Sequence, residues 1–114
     1  MLLLIEQFDW LKETIKRVSS VFEMESEKKI SFEVYEELDI DIRSALSNNN
    51  LKKFVDQNLI TSDSSKEISN FRDQLIELID KRIEPEQILS NENWKIISRK
   101  AEIIYEAIIN KPMY

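Results

Sequence analysis

Apolar residues recur at Leu4, Phe8, Leu11, Ile15, Val18 and Phe22, a spacing of three to four that sets all six on one stripe of a helix. Leu3, Trp10 and Val21 lie beside that stripe and widen the face expected to be buried, while Lys12, Glu13, Lys16 and Arg17 fall on the solvent side. The polar stretch from Glu23 to Ile30 reads as a connection. Ser31 is placed to cap a second helix, on which Val34, Tyr35, Leu38, Ile42, Ala45 and Leu46 share a face, ending near Ser47. Asn48, Asn49 and Asn50 predict a break, because asparagine tolerates left-handed backbone and competes for helical hydrogen bonds through its own side chain. A short third helix carries Leu51, Phe54 and Val55, followed by Leu59 and Ile60.

Thr61-Ser62-Asp63-Ser64 is the clearest loop, and Ser64 with Glu67 three positions later has the form of a capping box that opens helix four. The stripe of that helix is Ile68, Phe71, Leu75, Leu78 and Ile79, with Ile76 and Ile83 at its edge, and Glu84-Pro85 is expected to stop it. Pro85 suits the first turn of a short helical piece through Leu89. Ser90 or Asn91 can cap a last helix, whose main stripe of Trp94, Ile97, Ala101, Ile104, Tyr105 and Ile108 runs until Pro112. On that helix Ile96, Ile103 and Ala107 form a second apolar stripe on the opposite side, which predicts that it packs centrally. Short connections favour antiparallel neighbours, so the expected fold is an all-α, antiparallel four- to five-helix bundle, with residues 1–114 in a single domain.

Composition sharpens this by what it lacks. The 114 residues contain no glycine, so tight hairpins and sheet architectures are disfavoured and the glycine-dependent phosphate loops of nucleotide enzymes are excluded. There is no cysteine and hence no disulfide, zinc ribbon or thiol nucleophile; there is no histidine and hence no imidazole base or ligand. The apolar opening Met1-Leu2-Leu3-Leu4-Ile5 is broken at once by Glu6 and Asp9, so it reads as the start of a helix rather than a signal peptide. No apolar run approaches the roughly 18 residues of a membrane span, and a soluble, cytoplasmic protein is expected.

Catalysis would have to rest on carboxylates alone. Glu33 with Glu36, and Glu77 with Asp80, have the three-residue spacing of the acidic pairs that hold magnesium in MazG-like nucleotide pyrophosphohydrolases. About forty residues separate these two pairs and both fall on polar helix sides, so the expectation is no enzyme, no cofactor and no metal.

The charge is uneven. Residues 23–42 hold eight acids against Lys28 and Lys29, a net −6 that equals the charge of the whole chain, so the rest is balanced. A neutral body with one acidic patch points to a basic partner. On helix two, Glu33, Glu36, Glu37, Ile40 and Ser44 turn away from the apolar side, with Asp41 and Asp39 flanking them. Ile40 among acids has two readings: an apolar anchor inside a charged rim, or a residue that packs under a neighbouring segment while the acids solvate the surface. Glu33, Glu36, Glu37, Ile40, Asp41 and Ser44 are therefore the candidate partner-binding face. Direct nucleic-acid binding is not expected, because the bases are scattered and form no stripe interleaved with aromatics.

The C-terminal pattern Ile68-x-x-Phe71-Arg72-x-x-Leu75, then Ile88-Leu89, then Trp94-x-x-Ile97-x-x-x-Ala101, resembles that of small helical bacterial immunity proteins, those paired with contact-dependent inhibition toxins and nuclease colicins. The resemblance implies a monomer that joins a cognate toxin in a heterodimer, an acidic helical face occupying or flanking the basic active-site groove of a nuclease. The competing reading is another protein-binding inhibitor or adaptor, such as a phage-encoded one, using the same face.

Overall fold

Four of the predicted stripes meet in one core. The computed structural model describes residues 3–20 and 33–109, and there the chain is helical with no strand. The elements are α1 (Leu4–Ser19), a π-helical segment (Glu33–Leu38) that runs directly into α2 (Asp39–Ala45), α3 (Asn48–Asp56), α4 (Ser62–Asp80), α5 (Pro85–Ser90) and α6 (Glu92–Ile109). One cluster of buried side chains joins them, from Phe8, Leu11 and Ile15 through Ile42, Phe54 and Leu75 to Trp94.

α6 packs against α1 on one side and α4 on the other, and α2 touches the same two helices from across the core. α1 and α4 therefore lie diagonally opposite, with α3 wedged between them at one end and α5 leading into α6. Phe8 of α1 meets Phe54 of α3 edge to face at 5.2 Å. The order of contacts gives the directions. Lys16 lies 5.9 Å over the Tyr105 ring and the Ser98 hydroxyl donates to the Ser19 carbonyl at 3.1 Å, so contacts advance along α1 as they retreat along α6. Arg43 donates to Asp80 and Arg72 donates to the Leu46 carbonyl, which makes α2 and α4 antiparallel as well.

Helix starts follow short polar side chains, though not always the expected ones. Asn48 to Asn50 are not a break but the first turn of α3: Ser47 stands in extended backbone and accepts from the Asn50 amide at 3.3 Å. Thr61, not Ser64, caps α4, accepting from the Ser64 amide at 3.0 Å. Asn91 caps α6 through the Trp94 amide at 3.0 Å, and Pro85 occupies the first turn of α5, where the Gln87 side chain accepts from the Glu84 amide. α4 stops at Asp80, before Glu84-Pro85. Leu3, expected to widen the buried face of α1, is 64% exposed at the helix entrance, while Trp10 packs partly buried against the core. Val21, Phe22, Ser31 and Pro112 lie outside the described residues, as do the side chains of Val34 and Tyr35.

Helix ends are where the missing glycine is felt. After α3, Asn58 takes the left-handed conformation at φ 60°. Its amide bonds to the Val55 carbonyl while the Leu59 amide reaches back to Phe54, the closing pattern that glycine usually makes. Arg82 is also left-handed after α4, at φ 46°, and its amide bonds to the Ile79 carbonyl. The end of α2 is closed from outside. Arg72, only 12% exposed, donates to the Leu46 carbonyl at 3.0 Å, to Asn48 Oδ1 at 2.7 Å and to Ser69 Oγ at 3.1 Å, while the Asn50 side chain donates to the Ser44 carbonyl at 3.1 Å.

Arg72→Ala is expected to lower stability by about 2–3 kcal/mol, because a nearly buried carbonyl and two polar side chains lose their donor at once. Arg72→Lys should recover only a minor part, since one ammonium cannot reproduce the planar fork. Urea denaturation reads this directly, and an Arg72→Ala midpoint equal to wild type would rule out this role for Arg72.

Candidate protein-binding face

The face read from helix two is divided between the π-helical segment and α2, with the junction at Leu38–Asp39. A π turn advances by five residues per hydrogen-bonded step rather than four, so positions on either side of it do not follow one straight-helix register. Downstream of the junction the inward side is Leu38, Ile42, Ala45 and Leu46, all fully buried. The outward side is Glu36, Glu37, Ile40 and Ser44, all exposed. Ile40 is 65% exposed, so it is not packed under a neighbouring described helix.

The acids around it separate into two groups. Asp41 leans toward the bundle, where it receives the Arg17 guanidinium of α1. Asp39 receives Arg43 Nε at 2.8 Å, and the same guanidinium reaches on to Asp80 of α4 at 2.9 Å. The hydrogen bond to Asp39 and the attraction of both carboxylates hold the Arg43 pKa above its ordinary value. Glu36 and Glu37, by contrast, have no ion-pair partner among the described residues. The side chain of Glu33 lies outside the described ones. Of the six predicted contact residues, the structure thus brings Glu36, Glu37, Ile40 and Ser44 to one open surface and turns Asp41 to an internal task. Sequence spacing could not show that, since it does not say which helix lies next to Asp41.

Of the two acidic pairs weighed for metal binding, only Glu36 and the second pair lie among the described side chains. Glu77 and Asp80 are exposed on α4, Asp80 is bound to Arg43, and among the described residues no three acids gather where a cation could be held. Among the described residues, the one buried polar side-chain atom without a hydrogen-bond partner, the Trp94 indole nitrogen, stands within the core. No helix among the described residues is long and apolar enough to cross a membrane.

The second apolar stripe of α6 is a second surface. Ile96 and Ile103 of α6 are 52% and 60% exposed, and Ala107 is exposed with them, so the outer stripe of α6 is not covered and the helix is buried on one side only. The expectation of a central helix fails because the other strongly periodic helices already pack against its inner stripe. Compared with family models, curated proteins and solved structures, the chain matches none.

The division of acids predicts two different responses. Asp41→Asn should cost about 0.5–1 kcal/mol, the loss of a partly buried ion pair discounted for screening, whereas Glu36→Gln and Glu37→Gln should stay within about 0.5 kcal/mol of wild type. Thermal denaturation of the three variants in low salt distinguishes them; equal behaviour would mean that Arg17 does not depend on Asp41.

Proposed function

We propose that this chain is a non-catalytic inhibitor, and specifically an immunity protein that neutralises an antibacterial nuclease toxin in the cytoplasm. The observation that carries the reading is Ile40: a 65% exposed aliphatic side chain beside Glu36 and Glu37, two carboxylates with no ion-pair partner among the described residues. An apolar anchor supplies affinity once water is excluded around it, and unpaired carboxylates steer the approach of a basic surface and reject an acidic one. A nuclease groove has to be basic to hold phosphates, so two carboxylates flanking an anchor fit its rim and keep substrate out. The absence of histidine and cysteine from the chain supports inhibition by occupancy rather than by chemistry. A different inhibitor or adaptor acting on a nucleic-acid-handling protein would use the same face, and the two differ only in what the partner does.

The test is affinity capture from the source cell. The retained protein is identified by mass spectrometry and then assayed for nucleic-acid cleavage with and without equimolar chain. Wild type should suppress the cleavage. Ile40→Asp, and separately Glu36→Lys with Glu37→Lys, should weaken binding by about tenfold or more, about 1.4 kcal/mol, with helicity unchanged. The charge-reversed variant should lose less of its affinity relative to wild type as salt rises. Wild-type affinity in both variants would overturn the assignment of this face, and a captured partner with no cleavage activity would overturn the immunity reading.

A further inference from the structure

The outer side of α6 carries two rows of exposed residues. Ile96, Ile103 and Ala107 make one, in line along the helix. Lys95, Arg99, Glu102 and Glu106 make the other, spaced by four, three and four positions, which keeps them all on one side. A shallow depression of about 260 Å³ lies over the N-terminal half of this surface, between Ile96 and Ile103 and rimmed by Lys95 and Arg99. α1 and α4 take the inner side of α6, where Trp94, Ile97, Ala101 and Ile104 are buried, and no described helix covers the two outer rows.

The charges of the second row are ordered, its two bases first and its two acids after them. Arg99, Glu102 and Glu106 form no ion pair among the described residues, and Lys95 pairs only with Glu92, at 3.6 Å between exposed side chains. A row in that order is complementary to itself reversed. A two-fold axis level with Lys100 and Ala101 sets each row against the same row of an antiparallel copy. Lys95 then stands opposite Glu106 of the second copy, and Arg99 opposite Glu102, and each pair occurs twice. The same axis serves the apolar row: Ile96 falls between Ile103 and Ala107 of the second copy, and the depression beside Ile96 receives that Ile103. Lys100 is near the axis, but it donates to Gln74 of α4 at 2.9 Å, which draws it aside from its own equivalent. A parallel copy in register would instead set Lys95 on Lys95 and Glu106 on Glu106, like charge on like.

We infer that the outer side of α6 is the interface of an antiparallel homodimer, held by Ile96, Ile103 and Ala107 and fixed in register by pairs of Lys95 with Glu106 and of Arg99 with Glu102 between the copies. The aliphatic side chains supply affinity and the ordered charges supply orientation. One helix against one helix is a small contact, so the association is weak and reversible. The face around Ile40 stays open, because α2 contacts α1 and α4 from across the core. The protein is then a dimer with two such faces, not the monomer that the likeness to immunity proteins implies.

Sedimentation equilibrium of the full chain, over about 10 µM to 1 mM, should show the mean mass rising toward that of two chains. Ile96→Asp with Ile103→Asp should weaken association at least about tenfold, and Ile40→Asp should leave it unchanged. If the aspartate pair perturbs the circular dichroism, Ile96→Ser with Ile103→Ser makes the same comparison. Charge reversal tests the pairing itself. Arg99→Glu and Glu102→Arg should each weaken self-association at least about fivefold, because each sets like charges across the axis twice. An equimolar mixture of these two variants should associate about as tightly as wild type, since every glutamate at these positions then meets an arginine, and the recovery should fade as salt rises. A chain that is monomeric throughout the range overturns the proposal, as does a dimer that survives the loss of both isoleucines or that Ile40→Asp dissolves. A mixture no tighter than either variant alone overturns the antiparallel register.

Discussion

A helix that ends leaves its last carbonyls without partners, and most helical proteins meet this need by letting glycine turn the chain in the left-handed region. This chain has no glycine, so several of the described helix ends are closed by other residues. Asn58 and Arg82 accept the left-handed conformation that costs a residue with a Cβ, Ser98 donates to the carbonyl of Ser19 at the end of α1, and Arg72 with Asn50 closes α2. Three of these closures reach between segments. Ser98 holds α6 to the end of α1, Arg72 holds α4 to the α2–α3 corner, and Asn50 ties α3 back to α2. Local chain termination and tertiary packing are therefore the same set of contacts, and a bundle with small connections gains its relative helix positions from them.

The same economy divides the surface. Cations that lie between helices recruit the nearest acids: Arg17 takes Asp41, and Arg43 takes Asp39 and Asp80. What remains at the surface is what the fold did not need. On α2 the remainder is Glu36 and Glu37 beside Ile40; on α6 it is Arg99 and Lys100 between Ile96 and Ile103. Lys100 is held by Gln74, whereas Glu36 and Glu37 have no ion-pair partner among the described residues, and exposed aliphatics are a cost in water.

How much of this was legible from the residues depended on whether a feature is local. The stripes of α1, α4 and α6 were legible, since Leu11, Ile15, Ile68, Leu75 and Ile97 follow the helical period without interruption and all are buried. The outward position of Ile40 was legible from its place opposite Leu38, Ile42 and Leu46, and Glu36 and Glu37 are exposed as expected although the π-helical segment interrupts the register. The asparagine run misled because asparagine is equally suited to ending a helix and to its first turn, and the deciding residue was Ser47, whose hydroxyl could cap what followed. Nothing in Glu33–Leu38 marks a π-helical segment, because the hydrogen-bond step is selected by packing on the flanking residues and not by composition. The capture of Asp41 by Arg17, and the openness of the second stripe on α6, both depend on which helices are neighbours. That is tertiary information, and a helical period carries none of it.

The pairing of α1 with α6 has a consequence for how the protein is made. These helices pack more extensively against each other than any other pair, and the bond from Ser98 to Ser19 spans 79 residues. α1 emerges from the ribosome early, yet its main partner is synthesised after every other helix described. Throughout elongation Phe8, Leu11, Ile15 and Val18 present a continuous apolar stripe with nothing complete to cover it. Closure of the core is thus a late, long-range event, slower than the forming of any single helix, and for most of its synthesis the nascent chain exposes the apolar surface that the finished bundle covers.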